Sequence, residues 1–404
     1  MYHKKLVKFC DKPNWVDRFV LASLKDCGTG AGGFQAGNSC SGGGGGGGAL
    51  TETKNIGTRV TTEGEAVGRG EAIAEHLSGL SGAEFTKETA RILVASGMSK
   101  EEAKDFAKSL DRSIKHAVKT LTPLAGWTPP DGALEAVRGS ACGFVAGIAM
   151  YKELTGNGVD ERTISAGSTL GARFDDNGDT TEEPLAIYPE ATKTDYMGYF
   201  GVTMKDGKIL DSRPRISLNV LTGAVSENMR ARRLLMNLPS ATNLAAAGLG
   251  EGNFTIGDAL VEMGTASSDN EKINGIAFSG DRESLRRMAK SGFGRTALAA
   301  MHTALHEIGH WQHYKTIERE VRVANPRLAG VALWRATTSA WGARKVGNSS
   351  GWRSAGKAVS RYARSDSREF VAEAYSGFSM GFSFNEDVRT QYAAQGGPGR
   401  ARRS

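Results

Sequence analysis

Residues 298–313 read Leu-Ala-Ala-Met-His-Thr-Ala-Leu-His-Glu-Ile-Gly-His-Trp-Gln-His, and they decide how the C-terminal part of the chain folds. Apolar side chains recur here every three or four residues, the period of a helix with one buried face. The recurring positions are Leu298, Met301, Leu305 and Ile308. The pattern predicts a helix from about Arg295 to Arg319.

This predicted helix contains four of the seven histidines of the chain. His306 and His310 are four residues apart, so a helix presents both imidazoles on one face. Zn²⁺ accepts such ligands, and a catalytic zinc site uses three protein ligands with one position left for water. Glu307 is turned by about 100° from His306, which places it beside that water, where a carboxylate serves as general base. The stretch therefore predicts a catalytic zinc site.

Other polar residues of this helix do not complete the site. His302 and His313 are expected at the surface or behind the ligands, because a fourth protein ligand would close the position for water. The metzincin pattern needs glycine at 313 and histidine at 316, and it is excluded because the sequence has His313 and Thr316. Glu318 and Glu320 lie two to three turns further along the same helix, too far to fold back.

A second late helix is predicted from about Asp366 to Met380. It carries Glu369 and Glu373 four residues apart on one face, and either carboxylate completes a His-His-Glu site. Glu369 also has a purely structural interpretation, because Asp366 followed by Glu369 matches a capping box at a helix start.

The residues from Tyr362 to Tyr375 read Tyr-Ala-Arg-Ser-Asp-Ser-Arg-Glu-Phe-Val-Ala-Glu-Ala-Tyr. They resemble the late active-site helix of the anthrax lethal factor family of zinc metallopeptidases, which are gluzincins. That family pairs a His-Glu-x-x-His helix with a Tyr-x-x-x-x-x-x-Glu-Phe-x-Ala-Glu-Ala segment, and Gly309 agrees with it as well. The resemblance covers about residues 265–390, with a longer segment between His310 and Tyr362 than in lethal factor.

The resemblance implies a zincin-like peptidase domain that hydrolyses a peptide bond of a protein or peptide substrate. It implies that Glu369 is the third zinc ligand, beside His306 and His310. Tyr362 is then a hydroxyl donor near the metal, which stabilises the oxyanion or assists the leaving amine. Glu373 is then a carboxylate that orients a ligand histidine from behind.

Further elements follow from composition and periodicity. Residues 64–122 predict helices, with Ser99 and Glu102 as a capping box, and residues 140–155 predict a buried helix. Residues 163–222 predict short strands and turns. The stretch Ile273 to Ser279 predicts a short strand at the edge of the cleft, to which a substrate peptide would add as an extra strand.

We predict an α+β protein whose zincin-like domain has an active-site helix and a short edge-strand sheet, preceded by a mostly helical region and a mixed region. The unbroken glycine run at 42–48 is typical of a flexible tether. The predicted parts are a basic, Gly-rich leader (1–50), a helical region (51–125), a mixed α/β region of unknown role (126–262), the peptidase domain (263–390) and a disordered basic tail (391–404).

A basic segment at 341–368 holds seven Lys or Arg against one acid, within a chain of net charge +7. We interpret it as a solvated loop beside the active site, because charge runs usually face water. Such charge accommodates an acidic peptide substrate. The alternative is a nucleic-acid-associated protein that binds through this segment, although nucleic acid is the less favoured partner.

A second alternative is a structural or interaction protein, such as a virion or toxin-delivery component with a vestigial zincin domain. The intact Glu307 argues against it, because a structural zinc site has no use for a general base. We find no signal peptide and no membrane-spanning stretch. Cytoplasmic, virion-associated and non-classically secreted settings, in toxin or phage contexts, are all compatible with the sequence, which predicts no oligomeric state.

Overall fold

The computed structural model describes residues 66–121, 133–159, 173–174, 180–181, 198–205, 208–218, 254–266, 272–273, 276–347 and 349–398. Within them, the helices are α1 (Ala66–Ser78), α2 (Gly82–Ala95), α3 (Lys100–Leu121), α4 (Ala133–Thr155), α5 (Ile256–Thr265), α6 (Arg282–Ala289), α7 (Gly292–Ala324), α8 (Gly330–Gly347), α9 (Ser349–Gly356), α10 (Ser367–Ser379) and α11 (Glu386–Ala394). The strands are β1 (Arg173–Phe174), β2 (Thr180–Thr181), β3 (Gly198–Lys205), β4 (Lys208–Leu218), β5 (Lys272–Ile273), β6 (Ile276–Phe278) and β7 (Phe382–Ser383). Helices therefore dominate, with small antiparallel sheets beside them, which is compatible with the predicted α+β class.

The histidine helix α7 is the central element, and it is longer at both ends than its apolar period predicts. Its first turn is capped by Ser291, whose Oγ accepts a hydrogen bond from the Gly294 N–H at 3.0 Å. Helix α4 packs along α7 through glycines at four-residue spacing. A Cβ atom at Gly143 would overlap the backbone of Ala297, so the absence of a side chain lets the two helices approach closely.

Two hydrophobic clusters surround α7. The larger cluster joins α1 to α4 with α5, α6, α7, α10 and α11. The smaller cluster, which we call the hairpin cluster, joins the last turns of α7 to α8 and to the β3–β4 hairpin through Val202, Tyr314, Ile317, Val321, Leu333, Trp334 and Trp341. The larger cluster follows α7 as far as Trp311, past His306 and His310, and the hairpin cluster takes over from Tyr314.

The strand predicted at Ile273 to Ser279 appears as β5 and β6, with residues 274–275 outside the described part. However, β6 lies between β5 and β7 and pairs with both. A strand paired on both sides has no free edge to which a substrate peptide can add. The prediction that Ile273 to Ser279 forms the edge of the cleft is therefore wrong for its central part, Ile276–Phe278. Instead, the separate antiparallel hairpin β3–β4 lies against α7.

Several predicted elements are confirmed. Helices α1 to α3 occupy residues 66–121, and the Glu102 N–H donates to Ser99 Oγ at 3.3 Å, as expected for an N-cap. The predicted buried helix is α4, and the predicted late helix is α10. The structure differs from the predicted disordered tail at 391–398, because α11 continues to Ala394 and the Tyr392 hydroxyl donates to the Pro398 carbonyl.

The predicted division of the chain into regions stays a prediction. The leader at 1–50, most of residues 160–253 and residues 399–404 lie outside the described residues. Among the described parts, α4 from the predicted mixed region shares one hydrophobic core with α7 and α10.

Candidate metal centre

Three metal-ligating side chains converge from α7 and α10. The Nε2 atom of His306 lies 3.0 Å from Oε2 of Glu369, and the Nε2 atom of His310 lies 3.1 Å from the same oxygen. Two ligands of a tetrahedral Zn²⁺ with bonds of 2.0–2.1 Å are about 3.3 Å apart. Both histidine-to-glutamate distances are therefore close to what one zinc ion requires, and the three ligand atoms all lie within 4.8 Å of one another, as a group able to hold a metal does.

Gly309 brings α10 close enough for this convergence. A Cβ atom at this position would lie 3.1 Å from Cδ1 of Tyr375 and 3.2 Å from Cα of Ala372. These distances are tighter than most real Cβ contacts, so a side chain would press α10 away from α7. The glycine inside the histidine motif thus has a packing reason that the metal chemistry alone does not reveal.

The start of α10 decides between the two interpretations of Glu369. Asp366 is the N-cap of α10, and its carboxylate accepts a hydrogen bond from the Arg368 N–H at 2.9 Å. The Oε2 atom of Glu369 faces the two histidines. Asp366 therefore caps the helix, while the Glu369 carboxylate faces the two histidines; its role as a zinc ligand stays an expectation from the resemblance.

The hydrogen bond made by Nδ1 of His306 determines whether Nε2 of the same ring is available to bind a metal. Nδ1 lies 2.9 Å from Oε1 of Glu373, a carboxylate that is completely buried. The carboxylate can only accept, so Nδ1 carries the proton, and a neutral ring then has its lone pair on Nε2, directed at Glu369. A lone pair and a carboxylate oxygen at this distance repel each other unless a cation or a proton lies between them. The donor set His306, His310 and Glu369 fits Zn²⁺ as that cation.

The pKa shifts of His306 and Glu369 also indicate that positive charge is needed between these two side chains. Burial lowers the pKa of His306, but the hydrogen bonds and charges of Glu369 and Glu373 outweigh it, so this pKa lies well above its ordinary value. Burial likewise raises the pKa of Glu369, and the adjacent His310 and His306 outweigh it, so the carboxyl pKa lies well below its ordinary value. The site therefore contains ionised carboxylates that need positive charge beside them.

Glu307 is buried and differs from the carboxylates that face histidines. Its Oε2 atom is inaccessible to solvent and has no hydrogen-bond partner among the residues that the structure describes. Burial raises the pKa of its carboxyl, and Glu369 adds to this increase, while His310 and His306 act against it. A buried carboxylate of raised pKa, with one oxygen that no described group bonds, is suited to taking up and releasing a proton.

Strand β3 approaches Glu307 without a side chain between them. A Cβ atom at Gly198 would lie 2.7 Å from Cγ and 2.9 Å from Oε1 of Glu307, and 2.6 Å from Cγ2 of Thr303. The backbone at the start of β3 is therefore one wall around the general-base candidate. The strand lies in the predicted mixed region of unknown role, and Gly198 was not among the predicted site residues, because no local pattern indicates which distant element packs on Glu307.

Tyr362 lies beside the ligands on a short 3₁₀ turn, Tyr362–Arg364. Its backbone N–H donates to the Phe254 carbonyl at 2.9 Å, which ties the turn to the residues that precede α5. The centroid of its ring is 5.8 Å from that of His306. The tyrosine therefore adjoins the predicted zinc site, on the side of His306.

The two remaining histidines of α7 are both buried, so the option of a surface position is wrong for each. His302 Nε2 lies 2.9 Å from Oε1 of Glu373, which places it behind the ligands. His313 has a structural role: its Nε2 donates to the Gln395 carbonyl at 2.8 Å, and its Nδ1 accepts from the Trp341 indole at 2.9 Å. Burial lowers the pKa of His313 to about 3, so this ring is neutral.

The basic segment 341–368 is not a solvated loop. It contains the end of α8, helix α9 and the 3₁₀ turn, and both of its tryptophans, Trp341 and Trp352, are buried. Arg344 pairs with Glu320 and donates to the Gln395 carbonyl. Arg368 pairs with Asp366 and lies over the Trp341 ring, 5.1 Å from its centroid. Part of the positive charge thus stabilises the fold around the site.

No family model matches the sequence, and neither curated proteins nor solved structures give a match. The resemblance to the lethal factor family therefore stays an expectation from the two motifs. A search for helices with the length and apolarity to cross a membrane, restricted to the residues that the structure describes, finds none.

Proposed function

We propose that the chain is a zinc-dependent metallopeptidase of the gluzincin type, with a zincin-like C-terminal domain that resembles the lethal factor family. One observation carries the proposal: His306 and His310 direct their Nε2 atoms at one oxygen of Glu369, next to the buried Glu307, whose Oε2 has no partner among the described residues. Three ligands and a separate carboxylate are the set that metal-assisted hydrolysis uses.

The roles of the side chains follow from their positions. His306, His310 and Glu369 bind the zinc ion, and Glu373 holds the Nδ1 proton of His306 so that Nε2 is available as a ligand. Zinc, when bound, polarises the peptide carbonyl and lowers the pKa of water. Glu307 accepts a proton from the attacking water at a carboxylate oxygen and passes it to the leaving nitrogen, a task that its raised pKa favours.

Tyr362 assists the reaction as a hydroxyl donor. Its ring adjoins His306, so we assign its hydroxyl to the oxyanion or the leaving amine. Donors of this kind typically contribute on the order of 10²–10³ in kcat. The assignment comes from the resemblance, and the position of the ring supports it.

The alternatives receive less support. In a vestigial site or a structural zinc site, nothing would be gained from burying Glu307 with an oxygen that no described group bonds, because burying a polar atom without a hydrogen bond costs stability. Two of the seven cations of 341–368, Arg344 and Arg368, are engaged within the fold, which leaves less of this charge for a nucleic-acid interface. We therefore propose a protein or peptide as the substrate.

Peptide cleavage by the purified full chain tests the proposal. Casein and a random peptide mixture would be incubated with wild type as purified, after chelation, and after chelation followed by added zinc. Glu307→Gln is the matched control, because it keeps every ligand and removes only the proton acceptor. We expect cleavage in the zinc-containing wild type alone, with a loss of about 10²–10⁴ in Glu307→Gln. Equal cleavage by this variant, or by the chelated protein, would contradict the mechanism, and zinc binding without any cleavage would favour the structural alternative.

A further inference from the structure

The Glu373 carboxylate is surrounded by four hydrogen-bond donors from three parts of the chain: two histidines of α7, the backbone at the start of α5, and Ser360. Oε1 faces Nε2 of His302 and Nδ1 of His306, each at 2.9 Å. Oε2 accepts from the Ile256 N–H at 2.8 Å and from the Ser360 hydroxyl at 2.7 Å. Each carboxylate oxygen accepts two hydrogen bonds comfortably, so this set occupies the carboxylate fully.

Hydrogen bonds, more than packing, set the orientation of a glutamate end group. The last torsion of a glutamate side chain is broad, so packing alone does not set the plane of the carboxylate. The orientation of that plane decides whether Oε1 meets Nδ1 of His306 in a straight hydrogen bond. His302 is the only described side chain besides His306 that bonds Oε1.

The ring of His302 is itself held tightly. It is 4% exposed, and Gly257 in the first turn of α5 packs directly on it. A Cβ atom at Gly257 would lie 3.0 Å from Nδ1 of His302. Helix α5 thus confines His302 from one side, while Glu373 meets it from the other.

His302, His306 and Glu373 are also close enough together to hold an ion by themselves. Hydrogen bonding explains their geometry better. Nδ1 of His306 carries a proton that it donates to Glu373, and the lone pair of Nε2 then faces Glu369. In addition, Oε2 of Glu373 is already occupied by Ile256 and Ser360. This group therefore supports the zinc site rather than forming a second one.

We propose that His302 is a positioning residue of the metal centre, which holds Glu373 in the orientation that fixes the His306 ring for zinc. The inference rests on the proposed zinc site and extends it by one residue that neither motif includes. His302 binds neither metal nor substrate, and its effect reaches zinc through the chain His302–Glu373–His306. Partners behind a metal ligand typically change metal affinity about 10- to 100-fold.

Zinc affinity and the visible spectrum of the Co²⁺-substituted full chain test this assignment. His302→Leu removes the donor but keeps an apolar side chain, and His302→Gln restores an N–H at a similar place. His76→Leu is the matched control, because His76 Nε2 makes a bond of the same 2.9 Å length to Glu88 in α1 and α2, away from the metal centre. Apo-protein melting curves separate general destabilisation from an effect on the metal.

We expect His302→Leu to weaken zinc binding about 10- to 100-fold and to alter the Co²⁺ spectrum. His302→Gln should recover most of the affinity, and His76→Leu should match wild type. Unchanged affinity and spectrum in His302→Leu would overturn the inference, as would a His302→Gln variant as weak as His302→Leu. Two zinc ions in wild type and one in His302→Leu would also overturn it in favour of a second metal site. A wild type that binds no zinc would instead refute the proposed function itself.

Discussion

Replacing Gly198 by alanine places a methyl group where the backbone of β3 meets Glu307. The added Cβ would lie 2.7 Å from Cγ of Glu307, against 3.4 Å for the shortest ordinary contact, so it falls short by about 0.7 Å. It would also lie 2.6 Å from Cγ2 of Thr303 on the same helix. Either Glu307 or β3 must therefore move.

We expect this displacement to lower kcat and to leave zinc affinity unchanged. A misplacement of about 1 Å in a reacting group costs about 100-fold, so a shift of about 0.7 Å should lower kcat roughly 25- to 100-fold. Zinc affinity should stay unchanged, because none of the closest contacts of the new Cβ is to His306, His310 or Glu369.

The assay is peptide cleavage at saturating zinc, with zinc affinity measured in parallel. Gly342→Ala in α8 is the control, because a Cβ there meets nothing within 4 Å. Wild-type kcat in Gly198→Ala would refute the idea that β3 sets the position of Glu307. A parallel loss of zinc affinity would refute the claim that the substitution displaces Glu307 without disturbing the metal ligands.

Three further outcomes follow from the same contacts. Gly143→Leu should lower the unfolding free energy of the apo-protein by about 1–3 kcal/mol or more, because it forces α4 off α7, and an unchanged urea midpoint would contradict this. Tyr362→Phe should lower kcat on the order of 10²–10³ with zinc affinity kept, and an equal loss of both in cleavage and zinc titrations would assign the tyrosine to the fold. His313 is neutral when folded, with a pKa of about 3, whereas the unfolded chain takes up its proton near 6.5. The unfolded state then binds more protons, so the free energy of unfolding falls as the pH drops from 6.5 to about 3, by about 5 kcal/mol at most. In urea unfolding of the apo-protein, His313→Gln should lack this part of the pH dependence. The same pH dependence in both proteins would contradict the assignment.

The elements that carry the site were predictable from the sequence because their signals are local. The apolar period around Leu305 and Ile308 indicated α7, and Asp366 indicated the start of α10. The four-residue spacing of His306 and His310 requires only helix geometry to bring both rings to one face. The choice of Glu369 over Glu373 needed the resemblance, since spacing alone left both open.

The walls of the site could not be predicted, because they come from distant parts of the chain. Nothing near Gly198 in the sequence indicates that β3 packs on Glu307, more than a hundred residues later. The expected cleft strand at 276–278 was misplaced for a related reason. Its own residues predict a strand correctly, but β7, which covers its second edge, follows about a hundred residues further along.

The fate of the additional histidines also depended on tertiary contacts. His302 and His313 lie on the same helix, and neither has a neighbouring sequence pattern that indicates its partner. One faces Glu373 and the other faces Trp341, whose indole N–H completes its hydrogen bonds. The basic segment was misjudged likewise, because a run of charges does not show that Trp341 and Trp352 are buried between its arginines.

Zinc binding by the full chain tests the central claim most directly. Metal analysis and a competition titration would compare wild type with Glu369→Gln and with Glu318→Gln. Glu318 serves as the control because it is a glutamate on α7 that pairs with Arg322 instead of facing the histidines. We predict one zinc in wild type and in Glu318→Gln, and zinc that is lost or strongly weakened in Glu369→Gln. A wild type without zinc after zinc has been supplied, or a Glu369→Gln variant that binds as tightly as wild type, would contradict the account.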